Sequence, residues 1–235
     1  MSETPKKRQF VNFAFYKVDP AWRRLPKEER EQGKAEFCRA VESFDQKDGM
    51  MVLSYSLVGL RSDCDLMLWR IGYSLEEFQA MTACLFSTGL GRWLTLPYSL
   101  LSMTKGSIYT RGHVHEGQAD SRGFIRPGQH KYLFVYPFVK TRDWYRLPLS
   151  ARQGMMNEHI VMGHKFPSVK LNTTYSFGLD DQEFVVAFET DQPADFLDLV
   201  MQLREVEASR YTLRDTPIFT CAHKSLPEAL NLLGG

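Results

Sequence analysis

Trp22-Arg23-Arg24-Leu25-Pro26 returns 122 residues later as Trp144-Tyr145-Arg146-Leu147-Pro148. The same offset carries Arg30 onto Arg152 and Glu36 onto Glu158. Farther on, Tyr55-Ser56-Leu57-Val58-Gly59-Leu60 is echoed by Thr174-Tyr175-Ser176-Phe177-Gly178-Leu179, and Phe78 by Phe196. Order and spacing hold together along most of the 235 residues. The chain therefore reads as two copies of one unit of roughly a hundred residues.

Each copy repeats the order strand, helix, strand, strand, helix, strand. Aromatic-rich apolar runs at 10–16 and 132–138 open the copies as strands. Helical patterning follows at 27–44 and 150–164, with Ser150 a candidate N-cap after Pro148. Hairpins are expected from 52–58 with 65–71 around Gly59, and from 170–177 with 183–189 around Gly178. Second helices are expected at 74–86 and 193–204, and closing strands at 101–109 and 217–222. This βαββαβ order is the ferredoxin-like unit. Two of them predict an α+β protein, a dimeric α+β-barrel-like protomer whose antiparallel sheets pack face to face with helices outside. The division expected is an N-terminal repeat over 1–110, a connection over 111–130 and a C-terminal repeat over 131–235. The connection, with Arg111-Gly112-His113-Val114-His115-Glu116-Gly117, reads as a loop.

Composition excludes several classes. A net charge of +1 gives no electrostatic footprint for nucleic acid. No apolar run approaches the roughly 20 residues of a membrane span. The polar opening Met1-Ser2-Glu3-Thr4-Pro5-Lys6-Lys7-Arg8 lacks a secretory apolar segment, so a cytoplasmic location is the default expectation. Cys38, Cys64, Cys84 and Cys221 form no CxxC pair and read as reduced structural thiols. His113, His115 and His130 lack the third placed ligand that a zinc site requires.

The two copies differ at one informative position: His159 stands where the first copy has Phe37. A single functional pocket in the C-terminal copy would produce this asymmetry. His164, five residues on, points about 140° away on an ideal helix, so only one of the two can readily face a given pocket.

Taken in order, Tyr136-Pro137-Phe138-Val139-Lys140, Trp144-Tyr145-Arg146-Leu147-Pro148, Asn157-Glu158-His159-Ile160-Val161-Met162-Gly163-His164-Lys165-Phe166 and Gly178-Leu179-Asp180-Asp181 resemble the haem-binding half of the chlorite dismutase family. That family includes the coproheme decarboxylases of bacterial haem synthesis. The resemblance implies an iron porphyrin, haem b or coproheme III, with His159 as axial ligand. It implies Glu207 as holder of the second imidazole nitrogen, against the plainer alternative of a helix salt bridge. Tyr136 becomes the redox-active residue beside a reactive propionate, with Lys140 near the same substrate edge. Arg122, Tyr109 and Arg204 become candidate anchors for the four propionates of coproheme. Trp144 would pack at the porphyrin edge or in the core.

Chlorite-degrading members carry a distal arginine on the strand before the Gly-Leu-Asp-Asp turn. Counting back seven residues from Gly178 gives Leu171; counting on thirteen from His159 gives Asn172. Neither is arginine, and the nearby Lys170 lacks a rigid planar fork. The implied activity is peroxide-dependent decarboxylation, with coproheme and hydrogen peroxide as partners and a homopentameric ring as the assembly. A haem carrier or sensor, a haem peroxidase and residual chlorite chemistry are the alternatives.

Overall fold

The structure, a computed structural model, describes residues 7–110, 123–128 and 130–234. Its packing divides the chain into two units, residues 1–103 with 220–235 and residues 104–219.

The first unit contains β1 (Phe10–Val18), α1 (Lys27–Glu42), β2 (Met51–Ser56), β3 (Leu66–Gly72), α2 (Leu75–Ser87) and β4 (Leu94–Met103). The antiparallel order is β4–β1–β3–β2. Phe37 of α1 is fully buried, edge-on to Tyr16 of β1 at 6.5 Å between ring centroids. The position equivalent to His159 is thus filled by packing.

The second unit contains β5 (Tyr132–Lys140), α3 (Arg142–Arg146), α4 (Leu149–Gly163), β6 (Lys170–Tyr175), β7 (Phe184–Thr190), α5 (Pro193–Glu205) and β8 (Thr212–Arg214). The order is β6–β7–β5–β8, again antiparallel. Phe134, Tyr136, Val186 and Phe188 line one sheet face and pack on Phe196 and Leu199 of α5. Phe134 stacks on Phe196 at 4.0 Å.

The repeats are visible at atomic detail. Gly59 and Gly178 both turn their hairpins in the left-handed region, at φ +77° and +71°. Glycine suits that conformation because it has no Cβ to clash. The supporting bonds match: Leu57 N–H to Asp65 O at 2.9 Å and Ser176 N–H to Glu183 O at 2.8 Å. Trp22 and Trp144 are both buried.

Three expectations need correction. The strand expected at 101–109 runs instead from Leu94 to Met103, and Ile108–Thr110 is a 3-10 turn. Pro97 hides the strand from sequence reading. The register shifts between Phe15↔Tyr98 and Lys17↔Thr95, leaving Leu96 and Pro97 opposite Tyr16. A bulge is where a sheet tolerates a residue that cannot donate to the ladder. Secondly, Ser150 does not cap α4; Pro148 occupies the cap and the helix starts at Leu149, as Pro26 precedes Lys27 in α1. Thirdly, the closing strand of the second repeat, β9 (Phe219–His223), pairs with β2 through Tyr55↔His223 and Ser56↔Ala222. With α6 (Leu226–Asn231) it extends the first unit, where Leu230 and Leu233 join the core. Division by packing therefore runs differently from division by repeat. No helix among the described residues is long and apolar enough to cross a membrane.

Candidate functional site

The site is built on one helix and one sheet face of the second unit. On α4, His159 is three or four residues from Met155, Met156 and Met162, so helical periodicity puts all four toward one side. Those methionines pack against a cluster of Trp144, Val206 and Ala208. His159 is half-buried, whereas His164 is exposed just beyond the helix end. Burial, and then the Lys140 ammonium, push the His159 imidazole down to about 4. Near neutral pH it is therefore uncharged, the form that ligates a metal.

Lys140, at the end of β5, is itself buried. Its Nζ donates to Ala208 O at 2.6 Å and stands 4.6 Å from the Trp144 ring centroid. Burial lowers its ammonium to about 8 against the opposing pull of Glu183. Glu183 fixes this corner: it accepts Lys140 N–H at 2.8 Å and the Tyr145 hydroxyl at 2.5 Å. Trp144 lies 6.3 Å from Tyr109 and 5.6 Å from Tyr211 between ring centroids. Lys140 is thus placed beside His159 and Trp144, and Tyr136 sits about 13 Å farther back along the same strand.

Tyr136 begins a row across three strands. It pairs with Val186, and Val186 pairs with Thr173. The adjacent row is Phe134, Phe188 and Leu171. Residues directly opposite one another project to the same face, so Leu171 and Thr173 share the face of Tyr136. Both are exposed. Asn172 projects to the other face, where it is buried and donates to Glu189 Oε1 at 2.8 Å. Glu189 also accepts Gly128 N–H at 2.6 Å and lies 3.6 Å from Lys170 Nζ. Of the two counts toward the distal position, the one from the turn reaches the Tyr136 face.

The Tyr136 phenol is pushed well above its ordinary range by burial and then by Asp215, with Arg204 opposing. Arg204 is ion-paired to Asp215. Glu207 accepts from Arg210 at 2.8 Å, the plainer alternative allowed for it; one 3-10 turn carries both residues and nearly eclipses them. Its backbone N–H donates to Glu158 at 3.3 Å, which ties this turn to α4 next to His159. Arg122, His113 and His115 lie outside the described residues, and His130 contacts Asp191 at 3.2 Å. Thr173 escaped sequence reading because only the register against β7 and β5 puts it in the row of Tyr136.

The His159 environment has a consequence for stability. In the unfolded chain its imidazole titrates near 6.5, and in the folded chain near 4. Between these values the unfolded chain binds the extra proton, so stability falls as pH drops through that window. The Tm of porphyrin-free protein should decline from pH 6.5 toward 4, and His159→Phe should flatten that part of the profile. An unchanged slope in the variant would show that His159 is not desolvated.

An antiparallel α+β protein of ferredoxin-like fold, with a neutral inward imidazole on a helix of its second unit, is the class these features define. The family model described as Chlorite dismutase matches residues 30–224, and the chain belongs to the chlorite dismutase family. It is 32% identical over 167 residues to the coproheme decarboxylase of Mycolicibacterium smegmatis, covering 71% of this chain and 70% of that protein. Among solved structures it is similar to the chlorite dismutase of Candidatus Nitrospira defluvii in complex with imidazole. There the TM-score is 0.87 at 30% identity, over 97% of this chain and 95% of the other. A mutant of the same enzyme gives a TM-score of 0.88 at 30% identity over 99% and 97%.

Proposed function

We propose that this protein is a peroxide-dependent coproheme decarboxylase that converts coproheme III to haem b. The observation that carries the reading is the neutral His159 imidazole on α4, in the unit whose sheet places Tyr136 in one row with the exposed Thr173. The residues fit an iron porphyrin: an uncharged nitrogen donor among methionines for the metal, and a sheet face left open at Leu171 and Thr173. When bound, the iron porphyrin would supply the oxidising power of peroxide.

The chain's own residues do the rest. His159 would hold the iron and so orient the porphyrin. Tyr136 would hold a phenolic hydrogen beside a propionate, where its oxygen could exchange a hydrogen with that group. Burial above the usual phenol range keeps that hydrogen on the oxygen until it is needed. Each round takes one propionate, one proton and one hydrogen peroxide to a vinyl group, carbon dioxide and two waters. Two rounds complete the conversion. The same reading assigns a cytoplasmic homopentamer with the porphyrin in the C-terminal repeat.

The test is purified protein loaded with coproheme and titrated with peroxide, followed by mass spectrometry. Two successive losses of carbon dioxide plus two hydrogens are expected. A stable four-propionate species would instead favour a carrier. Chlorite chemistry is the second reading, given the similar structures. Against it, the distal candidates are Leu171, an apolar side chain, and Asn172, which is turned away and held by Glu189. Haem-loaded protein should therefore release negligible oxygen from chlorite before it bleaches; sustained release over many turnovers would overturn this.

A further inference from the structure

Side chains of β6 alternate between two faces, and their polar groups meet different fates. Asn172 and Thr174 point to the buried face and are used within the sheet: Asn172 donates to Glu189, and the Thr174 hydroxyl donates to Val185 O at 3.2 Å. Leu171, Thr173 and Tyr175 point to the Tyr136 face. Leu171 offers no polar atom there, and the Tyr175 hydroxyl is hydrogen-bonded to Ser107. Thr173 is exposed, and its hydroxyl makes no hydrogen bond among the described residues. Along its row come Val186 and then Tyr136, two strand spacings or about 10 Å away. The phenol is buried, so the open part of the face carries the Thr173 hydroxyl between Leu171, Val186 and the Tyr175 ring.

This face looks toward α4. Ser107 bonds Tyr175 of β6, and two residues on, α4 holds Tyr109: its carbonyl accepts from Gln153 at 3.0 Å and its hydroxyl from Arg152 at 3.3 Å. Two residues of chain span at most about 7 Å. One short segment therefore bridges the β6 face and the helix that carries His159, and the two are walls of one space.

We propose that Thr173 is the hydrogen-bond donor on the open face of the bound porphyrin, where its hydroxyl meets a small anionic ligand on the side away from His159. The inference rests on the porphyrin reading above and adds to it the residue that discriminates among small ligands. An anion placed between apolar neighbours is costly without a donor, so the hydroxyl selects for a ligand that accepts a hydrogen bond. It carries no charge, and it makes this selection without the cationic fork of an arginine.

The test uses full-length protein loaded with coproheme III in the absence of peroxide. The ferric form is titrated with fluoride, a small anion that accepts hydrogen bonds. The reduced form is titrated with carbon monoxide, which is neutral and gains little from a donor. Thr173→Val keeps the side-chain shape, removes the hydroxyl and suits an exposed strand position, so folding should be unimpaired. It should weaken fluoride about 10- to 100-fold, as expected for a lost hydrogen bond to a charged group, and leave carbon monoxide affinity nearly unchanged. The C–O stretch should move to higher frequency, because a donor to the ligand is gone. Thr173→Ser should restore both fluoride affinity and the stretch. Parallel losses of fluoride and carbon monoxide in Thr173→Val would make Thr173 a packing residue and overturn the inference. Undiminished fluoride affinity in that variant, or a loss confined to Tyr136→Phe, would overturn it too. So would a wild type that takes up coproheme and binds no fluoride. Failure of the wild type to take up coproheme would instead overturn the porphyrin reading itself, and this inference with it.

Discussion

His159→Ala should lower affinity for ferric coproheme by more than about 100-fold, the range seen when even the outer partners of a metal ligand are removed. Whatever porphyrin remains should show a spectrum without imidazole ligation. His164→Ala should bind as the wild type does. The two histidines are close in sequence, but their surroundings differ. His159 shares a helix side with methionines and is held uncharged by burial and by Lys140. His164 is exposed past the helix end. Absorption spectra of the two variants after loading decide the matter. Swapped phenotypes would reject the ligand assignment, and normal binding in both would place the iron elsewhere.

Tyr136→Phe should keep coproheme and lose its conversion. The ring stays, stacked on Phe188 at 6.1 Å between centroids, so packing on β7 is preserved. Only the hydroxyl goes, and a single lost hydrogen-bonding group costs about 1 kcal/mol of stability. The redox step should fall at least about 100-fold, the typical contribution of a positioned proton-transferring group, because phenylalanine has no phenolic hydrogen to exchange. Peroxide titration followed by mass spectrometry should find the four-propionate species persisting in the variant. Under the same conditions the wild type should pass through a three-propionate intermediate. Wild-type rates in the variant would make Tyr136 a packing residue and move the oxidant to another group.

Much of the architecture was legible in the chain because the duplication states each element twice. The two hairpin glycines, the two buried tryptophans and the proline-led helices α1 and α4 each corroborate the other copy. Elements without such a partner signal were harder. β4 was misplaced because proline ordinarily ends a strand, and only pairing with β1 shows that Pro97 occupies a bulge. Glu207 looked equally able to hold His159 or to make a salt bridge, and the tight turn after α5 gives its side chain to Arg210.

The sequence by itself determined the class of fold, the single histidine that breaks the symmetry of the repeats, and the presence of Leu171 and Asn172, neither an arginine, on the strand before the Gly178 turn. Hydrophobic period, turn glycines and repeat spacing are local properties, and they survive without knowledge of what packs where. Tertiary structure alone decided the rest. Whether Leu171 or Asn172 faces Tyr136 depends on strand register, where a slip of one residue flips every side chain. That Lys140 lies over Trp144 and next to His159 depends on where β5 ends against α4. That Arg152 has no acidic partner among the described residues is a statement about neighbours brought together from distant parts of the chain, and no local pattern encodes it.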